Sequence, residues 1–445
     1  MLGSKFLGKT RIPHRKNTAD VSPVRMNPPK EVLLPVEQHL GAPAIPTVKA
    51  GDTVKVGQLI ADASGQFSSP IYASVSGTVK KIESYLKSNG KTVDAIRIES
   101  DGLMTPYEEI TPPQISDIDS LISAIRASGL VGLGGAGFPT AVKFEAVKEG
   151  KINTVILNGA ECEPYITVDA QAMTNHADLI REGIELLERV APEIDRYIVG
   201  IENNKPHCIE NMKECLKDNK AVSIVSLPSL YPQGAEKVII YNTTGLVVPE
   251  GKLPADVGVI VINVSTLAFI AKYVKTGMPL VEKHVTIDGS AVKNPSNVIA
   301  PIGTSFGDII EFTGGFNGDP GKIIHGGPMT GFPIYSLDEP VVKTTSAIVA
   351  LSKKDAIEKK TTSCIHCGRC IEACPVSLNP TAFCKSMNIE NSDEKMKGLE
   401  DHSINLCIEC GSCSFVCPAN RPLVETIRMA KSSLRDYKAH KSSLK

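Results

Sequence analysis

Apolar residues recur along this chain in more than one rhythm, and the changes of rhythm mark its parts. In SDIDSLISAIRAS (116–128) the spacing of Leu121, Ile122 and Ile125 predicts a helix. Further on, NTVILNG contains a compact apolar run at 154–157 that reads as a buried strand, and an acidic loop and one long amphipathic helix follow it. RYIVGIENN, KPHCIENMKECLKDNK and VSIVSLPS continue as strand, helix and strand. Such alternation predicts an open α/β sheet, in which ligands sit beyond the carboxyl ends of the strands. Asn158, Glu161 and Glu163 fall at one of those ends, although carboxylates on such loops also serve as plain solvated turns. Cys208 and Cys215, on one face of their helix, read as core.

With 445 residues the chain has room for about three domains, each with its own core. The 48 Lys and Arg nearly cancel the 49 Asp and Glu, so charge balance gives no reason to expect a nucleic-acid partner. Among the longest apolar runs is GVIVINV (258–264), far short of the ~18 residues of a spanning helix. The basic start, MLGSKFLGKTRIPHRK, lacks the apolar stretch of a secretory signal, and a cytoplasmic location is expected.

Eight of the twelve cysteines fall in CIHCGRCIEACP (364–375) and CIECGSCSFVCP (407–418). Each reads C-x-x-C-x-x-C-x-x-x-C-P, the ferredoxin run for [4Fe–4S] centres, in which the fourth thiolate of one run serves the cluster of the other. The spacing therefore assigns Cys364, Cys367, Cys370 and Cys417 to one cluster, and Cys407, Cys410, Cys413 and Cys374 to the second. Gly368 and Gly411 ease the two loops. Paired zinc sites are the alternative, but they usually separate two C-x-x-C knuckles by a longer span. The span 375–406 is an insertion, and its Cys384 reads as a spare thiol. Cubanes move single electrons and choose no substrate, so a donor or acceptor site is expected elsewhere in the chain.

GLVGLGGAGFPTAVKFEAVKEG (129–150) contains G-x-G-x-x-G at Gly132, Gly134 and Gly137, but a helix precedes it where the dinucleotide fingerprint needs a strand. What remains is a flexible loop, with Pro139 as an expected first helical residue, whose free N–H groups can face a phosphate or a flat ring. Residues 129–144 resemble the flavin loop GLRGRGGAGFPTGLKW of the NADH-oxidising flavoprotein subunit of respiratory complex I. NGAECEP is similar to that family's NADEGEP, YPQGAEK (231–237) to YICGEET, and INVSTL (262–267) to NNVETL. The resemblance implies that Gly132, Gly134, Gly135, Lys143, Asn158, Glu161, Gly234 and Asn263 hold FMN. It further implies that Phe138, Glu163 and Glu236 face NAD(H), with Phe138 packing the nicotinamide and the two carboxylates orienting it. Leu133, Phe144, Ala160 and Ala235 replace an arginine, a tryptophan, an aspartate and a glutamate of that family, so hydrogen bonding around the ligands must differ.

TVKAGDTVKVGQLIAD and SPIYASVSGTVKKIES resemble the two halves of a lipoyl or biotinyl carrier barrel, but residues 73–77 at the tip offer no lysine to modify. Residues 282–316 resemble the β-grasp (SLBB) module that follows the flavin domain in complex I. IIHGGPMTGFPI (323–334) reads as a turn that could instead approach the clusters or the flavin. Arg428, Lys431, Arg435, Lys438, Lys441 and Lys445 make the end of the chain basic, suited to a partner, an anionic surface or simple solvation.

The expected architecture is multidomain α/β. It comprises an N-terminal extension (1–29), a lipoyl-like barrel-sandwich (30–110), an FMN/NAD(H) α/β domain (111–275), a β-grasp domain (276–345), a ferredoxin-like helical module with two [4Fe–4S] clusters (346–425) and a basic tail (426–445). That order resembles the C component of the Rnf complex, the membrane-bound ferredoxin:NAD oxidoreductase. The resemblance implies electron exchange between NAD(H), FMN and the two clusters, and partners among the membrane subunits and the ferredoxin-like iron–sulfur subunit. It also implies peripheral attachment at the cytoplasmic face, with Na+ or H+ moved by those partners. A cobalamin-reductase-like microcompartment flavoprotein has a very similar domain order, and an electron wire with a decayed nucleotide site is a third reading.

Overall fold

The computed structural model describes residues 7–88 and 90–443. Residues 1–6 of the basic start and Lys445 of the tail lie outside them.

The first part is a pair of small sheets. Glu31–Pro35, Thr92–Ser100, Gly77–Leu86 and Thr53–Val54 lie side by side in that order, and Ile45–Pro46, Leu59–Asp62 and Ile71–Tyr72 form the second sheet. Between them Val32, Leu34, Val54, Ile60, Ile71, Val79, Ile96 and Ile98 are fully buried. The tip at 73–77 does not project. Ala73, Ser74, Val75 and Ser76 are buried, and Ser74 donates to the carbonyl of Ile302. Gly77 is required there, because a Cβ would come within 1.9 Å of the Glu99 carbonyl oxygen.

The middle part is a parallel sheet ordered Val222–Leu227, Arg196–Glu202, Thr154–Gly159 and Val259–Asn263. The long helix expected after the acidic loop is two helices, Val168–Asn175 and Ala177–Val190, interrupted where His176 leaves helical geometry at φ −135°. Asn175 and His176 are weak helix formers. The first piece is buried almost all round, whereas the second buries one face, Ala177, Ile180, Gly183, Ile184, Leu186, Leu187 and Val190, so the two need different orientations.

A six-stranded mixed sheet follows, running Val24–Arg25, Ser296–Pro301, Glu282–Asp288, Ala347–Ser352, Pro320–His325 and Phe332–Pro333. Its first strand comes from the N-terminal segment and pairs in parallel with Val298 and Ile299. The last part is helical. Its insertion contributes Pro380–Met387 and Ser392–Asp401, whose Phe383 and Leu399 pack on Leu423, Ile427, Ala430 and Leu434 of the terminal helix Leu423–Ser443. The basic tail thus has an apolar face in the core. No helix among the described residues is long and apolar enough to cross a membrane.

Three of these parts meet at one buried amine. Lys343 is 1 % exposed, and its nitrogen donates to Ser69 Oγ (3.0 Å), Pro70 O (2.6 Å) and Gly129 O (2.8 Å). Burial holds its pKa down to about 7. Between there and the unfolded value of about 10, the unfolded chain carries a proton that the folded chain lacks, so folding gains stability as pH rises through that window. Lys343→Met, which leaves buried acceptors without a donor, is expected to lose about 3 kcal/mol at neutral pH. The difference in stability from wild type, measured by urea denaturation, should widen towards about pH 10. A difference that stays flat or narrows would contradict the buried-amine account.

Candidate functional site

The glycine loop leaves the helix Ile118–Ala127, whose N-terminus is capped by Asp117, and enters the helix Thr140–Lys148. Pro139 stands at the cap of that helix, one position before its first turn. Buried lysines hold two of the loop's carbonyls. Lys343 binds Gly129 O, and Lys283 donates to Leu133 O at 3.2 Å. Burial lowers Lys283 to about 8, against the opposing pull of Asp169. With its carbonyls directed at lysines, the loop leaves Gly134, Gly135 and Ala136 exposed. Gly134 has to be glycine, since a Cβ would lie 2.4 Å from Asn263 Nδ2, while the space over Gly135 is open. Phe138 meets Phe67 of the barrel part edge to face, with ring centroids 6.2 Å apart.

Across from this loop, the strand Thr154–Gly159 ends at Asn158, whose amide donates to Gly234 O (2.8 Å) and whose oxygen accepts from Ala160 N. The acidic loop beyond it turns through positive φ at Glu161 (45°) and Tyr165 (70°). Two lysines hold that shape. Lys16 donates to the carbonyls of Glu161, Glu163 and Ile166, and Lys205 to the carbonyl of Ala160. Glu161 accepts from Asp169 N through one oxygen (2.6 Å), and its other oxygen is buried without a hydrogen-bond partner, 3.9 Å from Lys16. Burial raises the Glu161 carboxyl to about 7. Asp169 in turn accepts from Asn263 and Ser265, and Asn263 caps the helix Val264–Thr276.

The structure therefore brings Gly134, Asn158, Glu161, Gly234 and Asn263 into one polar cradle, with Gly132 and Gly135 on its loop. Lys143 and Glu236 pair with each other at 2.7 Å, and Lys143 also reaches Val261 O. Glu163 is fastened within the chain through one of its oxygens. Its Oε1 accepts from Met329 N (2.7 Å) and Thr330 N (3.0 Å), fastening it to the glycine-rich loop at 326–331. That loop goes on to the thiol module, for Met329 O lies 2.7 Å from where a Cβ of Gly411 would be. Tyr231, buried at 3 % exposure, donates its phenol to Cys410 O (2.7 Å). Burial and the nearby Glu163 carboxylate push that phenol's pKa up. Lys16, Lys205, Lys283, Tyr231 and Met329 were not singled out by sequence reasoning. The stretches YPQGAEK and IIHGGPMTGFPI, which hold Tyr231 and Met329, offered the cue for those two.

The two cysteine runs fold alike. His366 and Glu409 share positive φ (55° and 54°), as do Gly368 and Gly411 (79° and 77°). Cys364, Cys367, Cys370 and Cys417 line one cavity, and Cys374, Cys407, Cys410 and Cys413 line another, so each run lends its fourth cysteine to the other's cavity. Backbone N–H groups point at sulfur: His366 N at Cys364, Leu378 N at Cys374 and Glu409 N at Cys407, each at 3.3–3.4 Å. A four-thiol set with N–H donors to sulfur fits a cubane held by thiolates. The glycine loop, the open space over Gly135 and the unpartnered oxygen of Glu161 fit a polar, flat-ringed ligand such as a flavin.

Comparison with known families agrees part by part. The chain matches the RnfC barrel sandwich hybrid domain over residues 4–103, the Nuo51 FMN-binding domain over 125–272, the SLBB domain over 284–333 and a 4Fe-4S dicluster domain over 360–421. It is 44% identical to the C component of the proton-translocating ferredoxin:NAD(+) oxidoreductase complex of Clostridium ljungdahlii, over 95% of this chain and 92% of that protein. It is 42% identical to the Na(+)-translocating counterpart of Acetobacterium woodii over 96% and 97%. With the C component of the ion-translocating oxidoreductase complex of Rhodobacter capsulatus, identity is 39% over 96% and 82%. Among solved structures, an NAD+-reducing [NiFe]-hydrogenase in its H2-reduced state shares the fold at TM-score 0.52 and 19% identity. That match covers 72% of this chain and 62%, less than two thirds, of the hydrogenase chain.

Gly134→Ala tests the cradle directly. The added methyl would displace Asn263 and, with it, the hydrogen bond to Asp169. We expect purified Gly134→Ala to retain iron at the wild-type level and to lose most of its FMN, measured as flavin and iron per chain.

Proposed function

The chain belongs to the RnfC family, the C components of ion-translocating, Rnf-type ferredoxin:NAD(+) oxidoreductase complexes, and on that premise we propose how its parts carry electrons between NAD(H), FMN and two [4Fe–4S] clusters. It is one subunit of a larger assembly. Its partners are the membrane subunits, which move Na+ or H+, and the ferredoxin-like iron–sulfur subunit. They hold it peripherally at the cytoplasmic face. FMN, when bound, supplies the exchange between the two-electron chemistry of nicotinamide and the one-electron chemistry of a cubane.

The protein's own contribution is positioning. Gly132, Gly134, Gly135, Lys143, Asn158, Glu161, Gly234 and Asn263 hold FMN. Phe138, Glu163 and Glu236 face NAD(H), Glu163 from a fixed position against Met329 and Thr330. Cys364, Cys367, Cys370 and Cys417 ligate one cluster, and Cys407, Cys410, Cys413 and Cys374 the other. Of the division into 1–29, 30–110, 111–275, 276–345, 346–425 and 426–445, the parallel sheet and the thiol core support the third and fifth parts, whereas Val24–Arg25 and Ala347–Ser352 are strands of the mixed sheet and the helix Leu423–Ser443 joins the tail to the thiol core, so the boundaries at 29, 345 and 425 shift. The observation that carries the reading is that two four-thiol cavities and a strand-end cradle occupy one chain, and that the loop at 326–331 joins Glu163 beside the cradle to Gly411 of the second cavity.

An anaerobic titration of the reconstituted chain with NADH tests it. Flavin absorbance is expected to bleach at stoichiometric NADH, with the EPR signals of reduced clusters following. Iron without flavin binding or bleaching would leave an electron wire instead. Glu163→Gln should slow NADH-driven bleaching by roughly tenfold or more at unchanged iron content. Bleaching at the wild-type rate would remove Glu163 from the nucleotide site.

A further inference from the structure

The two thiol sets occupy different surroundings. The set of Cys374, Cys407, Cys410 and Cys413 is fastened to the flavin-type cradle from two sides. Tyr231, three positions before Gly234 on the same loop, donates to Cys410 O at 2.7 Å. Met329, on the loop held by Glu163, packs against Gly411. Charged side chains brace the same corner: Arg428 donates to Thr330 O and lies by Glu409, while Lys431 binds both Cys407 O and Glu409. The other set opens outward. Cys367 is exposed, and beside it Ile365 and Ile371 are 67 % and 41 % exposed.

We propose that the two sets hold fixed and unequal places in the electron path. The set of Cys374, Cys407, Cys410 and Cys413 exchanges electrons with the flavin site, with Tyr231 as the positioning residue that holds the two together. The set of Cys364, Cys367, Cys370 and Cys417 exchanges them at the surface around Cys367 with a protein-borne one-electron centre. This order rests on the function proposed above. Its balance is simple: one NADH yields NAD+, a proton and two electrons, and each oxidised cluster takes one of them. Tyr231 reaches a carbonyl of the ligand loop without touching sulfur, so its removal alters spacing while the donor set stays intact.

The test uses the full chain, reconstituted with iron, sulfide and FMN, in rapid-freeze EPR after mixing with NADH. Cys367→Ser labels the outward set by changing its EPR signal. The unlabelled signal is expected to appear first and the labelled signal later. In Tyr231→Phe, iron and flavin contents and both dithionite-reduced signals should match wild type, while NADH-driven reduction of the inner set slows by about tenfold. The labelling measurement keeps the native tyrosine, so it decides the order even if Tyr231→Phe loses iron. A labelled signal that appears first would overturn the order alone. Unchanged kinetics in an intact Tyr231→Phe would remove the positioning role. If NADH reduces neither set in wild type while dithionite reduces both, the proposed function fails and this order falls with it.

Discussion

A buried lysine nitrogen, charged or neutral, is costly to desolvate unless its protons find acceptors. In this chain the acceptors are largely main-chain carbonyls of the two ligand loops. Lys283 and Lys343 take those of Leu133 and Gly129, and Lys16 and Lys205 take those of residues 160, 161, 163 and 166. These bonds fix the path of each loop from its buried side. These lysines come from the N-terminal segment, the middle sheet's loops and the following mixed sheet. The cradle is therefore a joint product of parts that look separable in sequence.

The thiol module depends on a different constraint, that of backbone shape. Four sulfurs can surround a cube of iron and sulfide only if the chain bends tightly between them. Both runs achieve this with a left-handed glycine and a left-handed residue two positions before it. The insertion at 375–406 is the module's local core, since its Phe383 and Leu399 give the terminal helix something to pack on. Small clusters of this kind have little apolar mass, and the added helices supply it.

Periodic and local features were legible in the sequence. The alternation at 154–227 gave the parallel sheet, and the cysteine spacing gave the two interleaved sets, because both depend on short-range geometry. The glycine loop was legible only through likeness, its fingerprint lacking the preceding strand. What escaped was long-range. Lys16 lies in a basic stretch that resembles a solvated terminus until the acidic loop, far along the chain, folds over it. The partners of Glu163, Met329 and Thr330, come from the glycine-rich turn at 323–334, whose approach to the clusters or the flavin was legible only as one of two readings. The break at His176 was also hidden, because the apolar rhythm runs on through it while the direction of burial changes.

Each cysteine run surrenders its last thiol to the other's cavity. Neither cavity is therefore complete without the fold of both runs. A substitution at Cys374 or Cys417 removes a ligand from the cavity built mainly by the other run, so damage anywhere in the module is felt on both sides of it.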